Sequence, residues 1–466
     1  MNAPIVWILI PLGLAALLLL LPGTRLLSSL GTIIALTLAG LAYWLPPDTA
    51  LRIGSLSLRI DSTLTLFGRQ LTLGASDQTL LILVYGMAAF WFFGTLALGN
   101  SRQIVSLGLA ITALLVASLA IHPFLYAALL IEIAILVCVP LLTQPGEQPG
   151  RGLIRFVIYQ TLAMPLILFA GFLLSGVETG PSDVSLITQS AALLAFGFAF
   201  LLAVFPLYSW IPLLAEEVPL YRLGFILTLF PTFGLVFGLT FIDHYPWLRD
   251  SAQLGPALQT VGLLTCVSAG IWAAFQRHLG RMAAYGAIAE TGVSLLAISL
   301  ADRSVGLQIL FYLLIPRALA LGVWMMSATI LTLHTKDLSF RALQGTARQF
   351  PVATAGIIIA NLTLAGTPLF ATFPVRQALW EKLAAQSIPA ALWFSLASLG
   401  LWAGALRSLA VLTMAPENTP WVSRETWEQR LLILLGLIGL GILGLLPQWA
   451  QPLLASLPTL FEHLSK

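Results

Sequence analysis

The sequence predicts an all-α polytopic membrane protein of about fourteen transmembrane helices. Three observations carry that prediction. The chain of 466 residues is 59% hydrophobic and 9% charged, with a mean hydropathy of +0.95. Apolar runs of roughly 20 residues, the length that crosses about 30 Å of hydrocarbon, recur from end to end. Helices are the expected spanning form, because an open sheet edge would leave backbone groups unpaired in lipid. Length therefore measures a helix count and not a number of globular domains.

The spans are expected at approximately 3–22, 26–46, 78–98, 103–122, 124–143, 152–175, 189–214, 219–243, 254–275, 282–301, 305–332, 352–384, 388–414 and 430–450. The first run, Pro4 to Leu21, has no basic segment ahead of it and no clear small-residue cleavage site. It reads as a retained span and not as a signal peptide. One long connection, Pro46 to Asp77, partly alternates apolar and polar residues. The segment Leu51–Ile60 is expected to pair with Leu64–Leu73 as a small surface hairpin.

Span seven contains Phe205-Pro206 and Ile211-Pro212, and span twelve contains Thr367-Pro368 and Phe373-Pro374. Proline inside a helix frees a carbonyl and breaks the hydrogen-bond ladder. Two interrupted helices at corresponding positions predict a duplicated, transporter-like unit, with spans four to eight and nine to thirteen as the repeats. The resulting division is 1–98 (first spans and outer hairpin), 103–243 and 254–414 (the two repeats) and 430–466 (last span and tail).

Basic residues distribute unevenly. Loops after odd-numbered spans carry Arg25, Arg102, Arg151, Arg155, Arg222, Arg277, Arg281, Lys336, Arg341, Arg348, Arg407, Arg424 and Arg430. The opposite side carries Arg52, Arg59, Arg69, Arg249, Arg303, Lys382 and Lys466. The excess of Lys and Arg on one side places the odd loops in the cytoplasm, so both termini of this integral inner (cytoplasmic or energy-coupling) membrane protein are expected outside.

Very few ionisable groups lie within the apolar runs: Glu132, Glu290, Arg317 and Arg376. A charge at bilayer depth is costly and survives where it faces a bundle interior or a water-filled path. Glu132, with no neutralising neighbour in sequence, is therefore expected to turn into a hydrated cavity. Glu290 is expected to interact with Arg317 or Arg376, because burying opposite charges separately is expensive. Arg317 follows Pro316, so it could instead cap carbonyls that the proline frees. Glu216 and Glu217 read as a solvated face, and His122 as a local hydrogen-bonding residue. Cys138 and Cys266 lie within apolar runs and read as small buried hydrophobes. No metal-ligand spacing, Gly-rich phosphate cradle, Cys cluster or His cluster occurs, so a nucleotide, flavin or iron–sulfur centre is expected to have no place on this chain, and any redox chemistry would belong to a partner.

Three strings then point to a family. Gly197-Phe-Ala-Phe-Leu-Leu-Ala-Val-Phe-Pro-Leu-Tyr-Ser-Trp-Ile-Pro212 is similar to "GFAFKxxxxPFHxWLP". Leu279-Gly-Arg-Met-Ala-Ala-Tyr-Gly-Ala-Ile-Ala-Glu-Thr-Gly292 resembles "LKRLLAYSSIAHxG", and Leu364-Ala-Gly-Thr-Pro-Leu-Phe-Ala-Thr-Phe-Pro-Val-Arg376 resembles "LAGIPPTAGFIGK". In order and correctly spaced, they resemble the antiporter-like, proton-translocating membrane subunits of respiratory complex I, NADH:quinone oxidoreductase. These have relatives in membrane-bound hydrogenases and multisubunit cation/proton antiporters. The resemblance covers most of the chain, from span two to span fourteen.

It implies fourteen spans, outward termini, inverted repeats, two broken helices, and a polar axis at mid-membrane that moves protons. The family's span-five glutamate falls on Glu132, its span-twelve lysine on Arg376 and its span-ten His or Gln on Glu290. Its span-seven lysine falls on Leu201, span eight has no basic residue in Leu229–Leu235, and the motif histidine is Tyr208. A buried lysine can release its proton near neutral pH, an arginine stays charged and a leucine cannot titrate. The first half-channel is therefore expected to be degenerate. The implied function is that of a membrane-arm subunit coupling electron transfer to proton translocation, packed among other membrane-arm subunits and lipid. A non-conducting scaffold of such a complex, or a subunit of a hydrogenase, a cation/proton antiporter or an inorganic-carbon uptake assembly, are the alternatives.

Overall fold

A computed structural model of the chain describes residues 2–464 apart from 46, 48–49, 54–55, 67, 100–101, 144–145, 147, 175–183, 336 and 415–420. Lys336 and Lys466, which entered the charge comparison, lie outside the described residues. The fold is a bundle of helices with two small sheets, one of two strands and one of three. A π-helical turn, Ile5–Leu9, leads into α1 (Ile10–Leu20) and α2 (Thr24–Trp44). After four strands come α3 (Gln78–Leu98), α4 (Arg102–Ala120), α5 (Ala127–Leu142) and α6 (Arg151–Leu174). Span seven is split into α7 (Val184–Leu201) and α8 (Trp210–Glu217). Then follow α9 (Leu220–His244), the short α10 (Pro246–Arg249), α11 (Leu254–Phe275), α12 (Leu279–Ile298) and α13 (Arg303–Thr332). Span twelve is split into α14 (Pro351–Leu364) and α15 (Phe373–Gln386), followed by α16 (Ile388–Thr413) and α17 (Trp427–Leu445). Ten of these helices are long and apolar enough to cross a membrane by length and composition.

Burial follows the same logic. Helices α9 and α13 are apolar nearly all round, including Phe225, Phe233, Phe241 and Trp324, and lie in the interior. Helices α6, α11, α16 and α17 expose large hydrophobic side chains such as Phe172, Trp272, Trp393 and Leu435. A helix with one buried face and one exposed apolar face is suited to lipid or to a membrane neighbour. Within the two expected repeats, α4 packs on α5 and α6 on α7, as α11 packs on α12 and α13 on α14.

Helices α11 and α16 approach closely enough that neither tolerates a side chain at the crossing. A Cβ on Gly270 would sit 2.3 Å from the Ala397 carbonyl oxygen, and one on Gly400 would sit 2.3 Å from the Gly270 carbonyl oxygen. Small residues at such seams let backbones pack in van der Waals contact.

The two small sheets correct one expectation. Leu51–Ile60 does not pair with Leu64–Leu73. Each segment folds on itself instead: β1 (Ala50–Ile53) pairs with β2 (Leu56–Arg59), and β3 (Thr63–Leu66) with β4 (Arg69–Thr72). Gly68 supplies φ +73° in the second turn, the backbone that a tight hairpin demands. Local turn chemistry therefore decides the pairing over the longer-range register. Strand β4 also pairs with β5 (Ile121–His122), which places exposed His122 opposite Gln70. Arg69 anchors this sheet to the bundle, donating to the Tyr126 hydroxyl at 2.7 Å and lying 3.9 Å over its ring.

Candidate functional site

The breaks in spans seven and twelve position the buried polar groups. Beyond Leu201 the chain leaves helical geometry at Ala203 (φ 50°) and passes Pro206 before re-forming a helix at Trp210. The loosened backbone is satisfied from two sides. Gln160 of α6 donates its Nε2 to the carbonyls of Phe200 (3.2 Å) and Leu201 (3.3 Å). Thr265 of α11 accepts from the Phe205 amide at 3.0 Å. In span twelve, the stretch around Pro368 separates α14 from α15, with Gly366 at φ +72° and Leu369 at φ 74°. Thr372 donates to the Thr363 carbonyl, and Trp402 donates to the Thr367 hydroxyl at 2.5 Å.

Around the second break the charges meet. Glu290 of α12 is fully buried and accepts from Arg376 Nη2 of α15 at 2.5 Å. A short charge-assisted bond of this kind is among the stronger interactions a protein makes. Arg376 also donates to the Ser398 hydroxyl at 3.4 Å and lies 5.8 Å over the Phe394 ring, both on α16. Gly366 is fitted to this arginine, since a Cβ there would meet Arg376 Cδ at 2.4 Å.

Arg317 makes no direct bond to Glu290 and caps a carbonyl of a neighbouring helix instead of its own. Its Nη2 crosses to α9, donating to the Thr232 hydroxyl at 3.1 Å and the Thr228 carbonyl at 3.4 Å, beside Pro231. Of the two candidate partners of Glu290, Arg376 is the one in direct contact.

The first break differs. Glu132 of α5 is turned into the bundle, 7% exposed, and accepts from the Thr161 hydroxyl of α6 at 2.8 Å. No salt bridge to Glu132 occurs among the described residues. Its Oε2 is buried without a protein partner, as are Gln160 Oε1 and Glu290 Oε2. Glu132, Gln160 and Leu201 line one cavity of about 10 Å³. Gln160 and Leu201 also line a second cavity of about 20 Å³ that reaches Phe230, Pro231 and Thr291, the neighbour of Glu290. A cavity needs roughly 10–15 Å³ to hold one water. Each is thus the size of a single water, and the first touches Glu132. Leu201 contributes only hydrocarbon between them.

Gln160, Thr161, Thr232 and Ser398 are the site residues that sequence reading passed over. Their signal was present but weak, since each is a polar residue in an otherwise apolar span. Glu216 and Glu217 are also more engaged than a solvated face. Exposed Glu216 pairs with Arg281 at 2.6 Å. Glu217 accepts from the Gly152 amide at 2.7 Å and the Leu153 amide at 3.3 Å, closing the first turn of α6.

Residues 151–401 match the family described as NADH:quinone oxidoreductase/Mrp antiporter, TM. The chain belongs to this family. Among relatives in the family, NADH-quinone oxidoreductase subunit N 2 of Acidobacterium capsulatum is 27% identical over 318 residues, 62% of this chain and 63% of that protein. The chain thus spans somewhat less than two thirds of that relative's length. NADH-quinone oxidoreductase subunit 14 of Thermus thermophilus is 25% identical over 439 residues, 91% of this chain and 97% of that protein. A chain of respiratory complex I from Thermus thermophilus superposes with a TM-score of 0.79 at 19% identity, covering 99% of this chain and 100% of that one. A chain of the Mrp complex from a Dietzia species gives 0.80 at 14% identity, covering 100% and 99%. Both neighbours share the fold of this chain, and both are chains of multisubunit complexes.

Proposed function

We propose that this chain is a membrane-arm subunit of a complex I-like NADH:quinone oxidoreductase, with fourteen membrane crossings, inverted repeats and outward termini. It couples electron transfer on partner subunits to proton translocation. NADH, quinone, flavin and iron–sulfur centres belong to those partners. The observation that carries the reading is the Glu290–Arg376 contact at the break of span twelve. A buried ion pair seated where a helix is interrupted is an electrostatic element that a conformational step can open or close. The relatives named as NADH-quinone oxidoreductase subunits support the host complex.

The first half works as a degenerate branch. Glu132 has a hydroxyl partner, Gln160 bridges the two small cavities, and Leu201 offers no proton. A relay needs titratable groups or ordered water within hydrogen-bond reach at each step. Those same two cavities favour the second reading, a non-conducting scaffold in such a complex.

Purification of the tagged chain from its native membrane tests the host. Co-purifying NADH:quinone activity with iron–sulfur absorbance is expected. A nickel hydrogenase, or an assembly without redox subunits, overturns the assignment. Proton-to-electron stoichiometry of the reconstituted complex then separates a conducting subunit from a scaffold.

A further inference from the structure

A second polar site lies away from the buried axis, at the end of the bundle where α6 and α12 begin. The contacts Glu216–Arg281 and Glu217–Gly152 place both helix starts at that end. Arg277, Arg341 and Arg407, with Gln344, Ser339 and Phe340, line an open pocket of about 650 Å³ between the end of α11, the segment after α13 and the end of α16. No acidic residue lines it among the described residues. The nearest carboxylate in sequence, Asp337, is already engaged, accepting from the Ser339 amide and hydroxyl and lying 3.8 Å from His278.

The pocket is pre-organised. Arg407 donates to the Ala274 carbonyl, and its guanidinium lies 5.6 Å over the Phe340 ring. The Phe340 amide donates to the Arg277 carbonyl at 2.8 Å, tying the two arginine-bearing segments together. Three cations converge on one concavity with no counter-charge in its lining among the described residues. Guanidinium groups are suited to bidentate recognition of phosphate oxygens.

What lies beside the pocket selects the source of that phosphate. Trp272 (52% exposed) and Phe275 (71%) on α11, with Met414 (66%) after α16, present apolar surface next to the arginines. A soluble anion gains nothing from such a surface, whereas acyl chains do. Basic pockets between spanning helices at the membrane–water boundary suit lipid headgroups. We propose that Arg277, Arg341 and Arg407 bind the phosphodiester headgroup of an anionic phospholipid whose chains lie along the exposed faces of α11 and α16.

The test is native mass spectrometry of the detergent-purified full chain in mixed micelles of phosphatidylglycerol, of phosphatidylcholine, or of phosphatidylglycerol with millimolar inorganic phosphate. Selective retention of phosphatidylglycerol, undiminished by inorganic phosphate, is expected. Arg277→Gln with Arg341→Gln should weaken retention by about fivefold for each arginine removed. Arg151→Gln with Arg155→Gln, exposed at the same end on α6, should leave it unchanged. Both pocket substitutions are at exposed side chains, so the fold should hold, and a melting curve checks it. If the pair unfolds, Arg341→Gln alone carries the test, with the same fivefold expectation. Equal retention of both lipids, displacement by inorganic phosphate, or retention indifferent to the pocket arginines overturns the proposal.

Discussion

The two interrupted spans solve one problem in different ways. Each breaks near a proline and each faces a carboxylate buried in the bundle. At span twelve the carboxylate meets a fixed cation: Glu290 and Arg376 are 2.5 Å apart, with Ser398 and Phe394 holding the far side of the guanidinium. At span seven the carboxylate meets a hydroxyl, and an amide side chain, Gln160, tends the loosened backbone. The difference teaches that the break does not require a charge pair. Neutral hydrogen bonding can hold the first one, which leaves Glu132 free of any structural duty to a cation.

The comparison breaks most visibly at Arg376. Removing one partner of a buried ion pair leaves the other charge uncompensated, at a cost of about 3–5 kcal/mol. Arg376→Ala should lower the melting temperature and the yield of assembled complex, and adding Glu290→Gln should restore a large part of both. If the double variant is as unstable as the single one, the pair is not the source of the loss. Gly366→Ala probes the same pair through the backbone. It forces a Cβ into φ +72° and against Arg376 Cδ, and should destabilise by about 1–3 kcal/mol. Thermal unfolding of the purified subunit reads it.

On the other side, Gln160→Leu strips the donor from the Phe200 and Leu201 carbonyls. A loss of about 1–2 kcal/mol is expected, together with faster amide exchange between Leu201 and Trp210, followed by mass spectrometry. The smallest effect belongs to Glu132→Gln, since glutamine can still accept from Thr161. Stability should change by less than about 1 kcal/mol, and the proton-to-electron stoichiometry of the complex should fall only modestly. A near-complete loss of pumping in an intact, electron-transferring complex would show that the first half conducts without the lysine.

What was legible in the sequence is what leaves a mark against an apolar background. Prolines 206 and 368 and the four intramembrane charges stand out because lipid tolerates few of either, and the chain does break at both prolines. The partner of Glu290 was narrowed to two arginines but no further. Which way a helix is rotated depends on packing, and α13 turns Arg317 toward α9 while α15 turns Arg376 toward α12. Gln160 escaped notice because a single amide in a span is unremarkable until the neighbouring helix opens. The hairpin was mispaired because alternation marks strands but not which strand follows which turn.

The glycine seam between α11 and α16 has a mechanical meaning. Backbone in contact with backbone leaves no side chains to slide or compress, so the two helices behave as one stiff beam. One helix of that beam holds the Phe205 amide through Thr265 at its middle, and the other holds Arg376 through Ser398 and Phe394. A displacement at the first interruption would have this seam as its stiffest route to the second. The contacts at the two breaks are thus joined through packing, with no direct side-chain bond between Glu132 and Glu290 among the described residues.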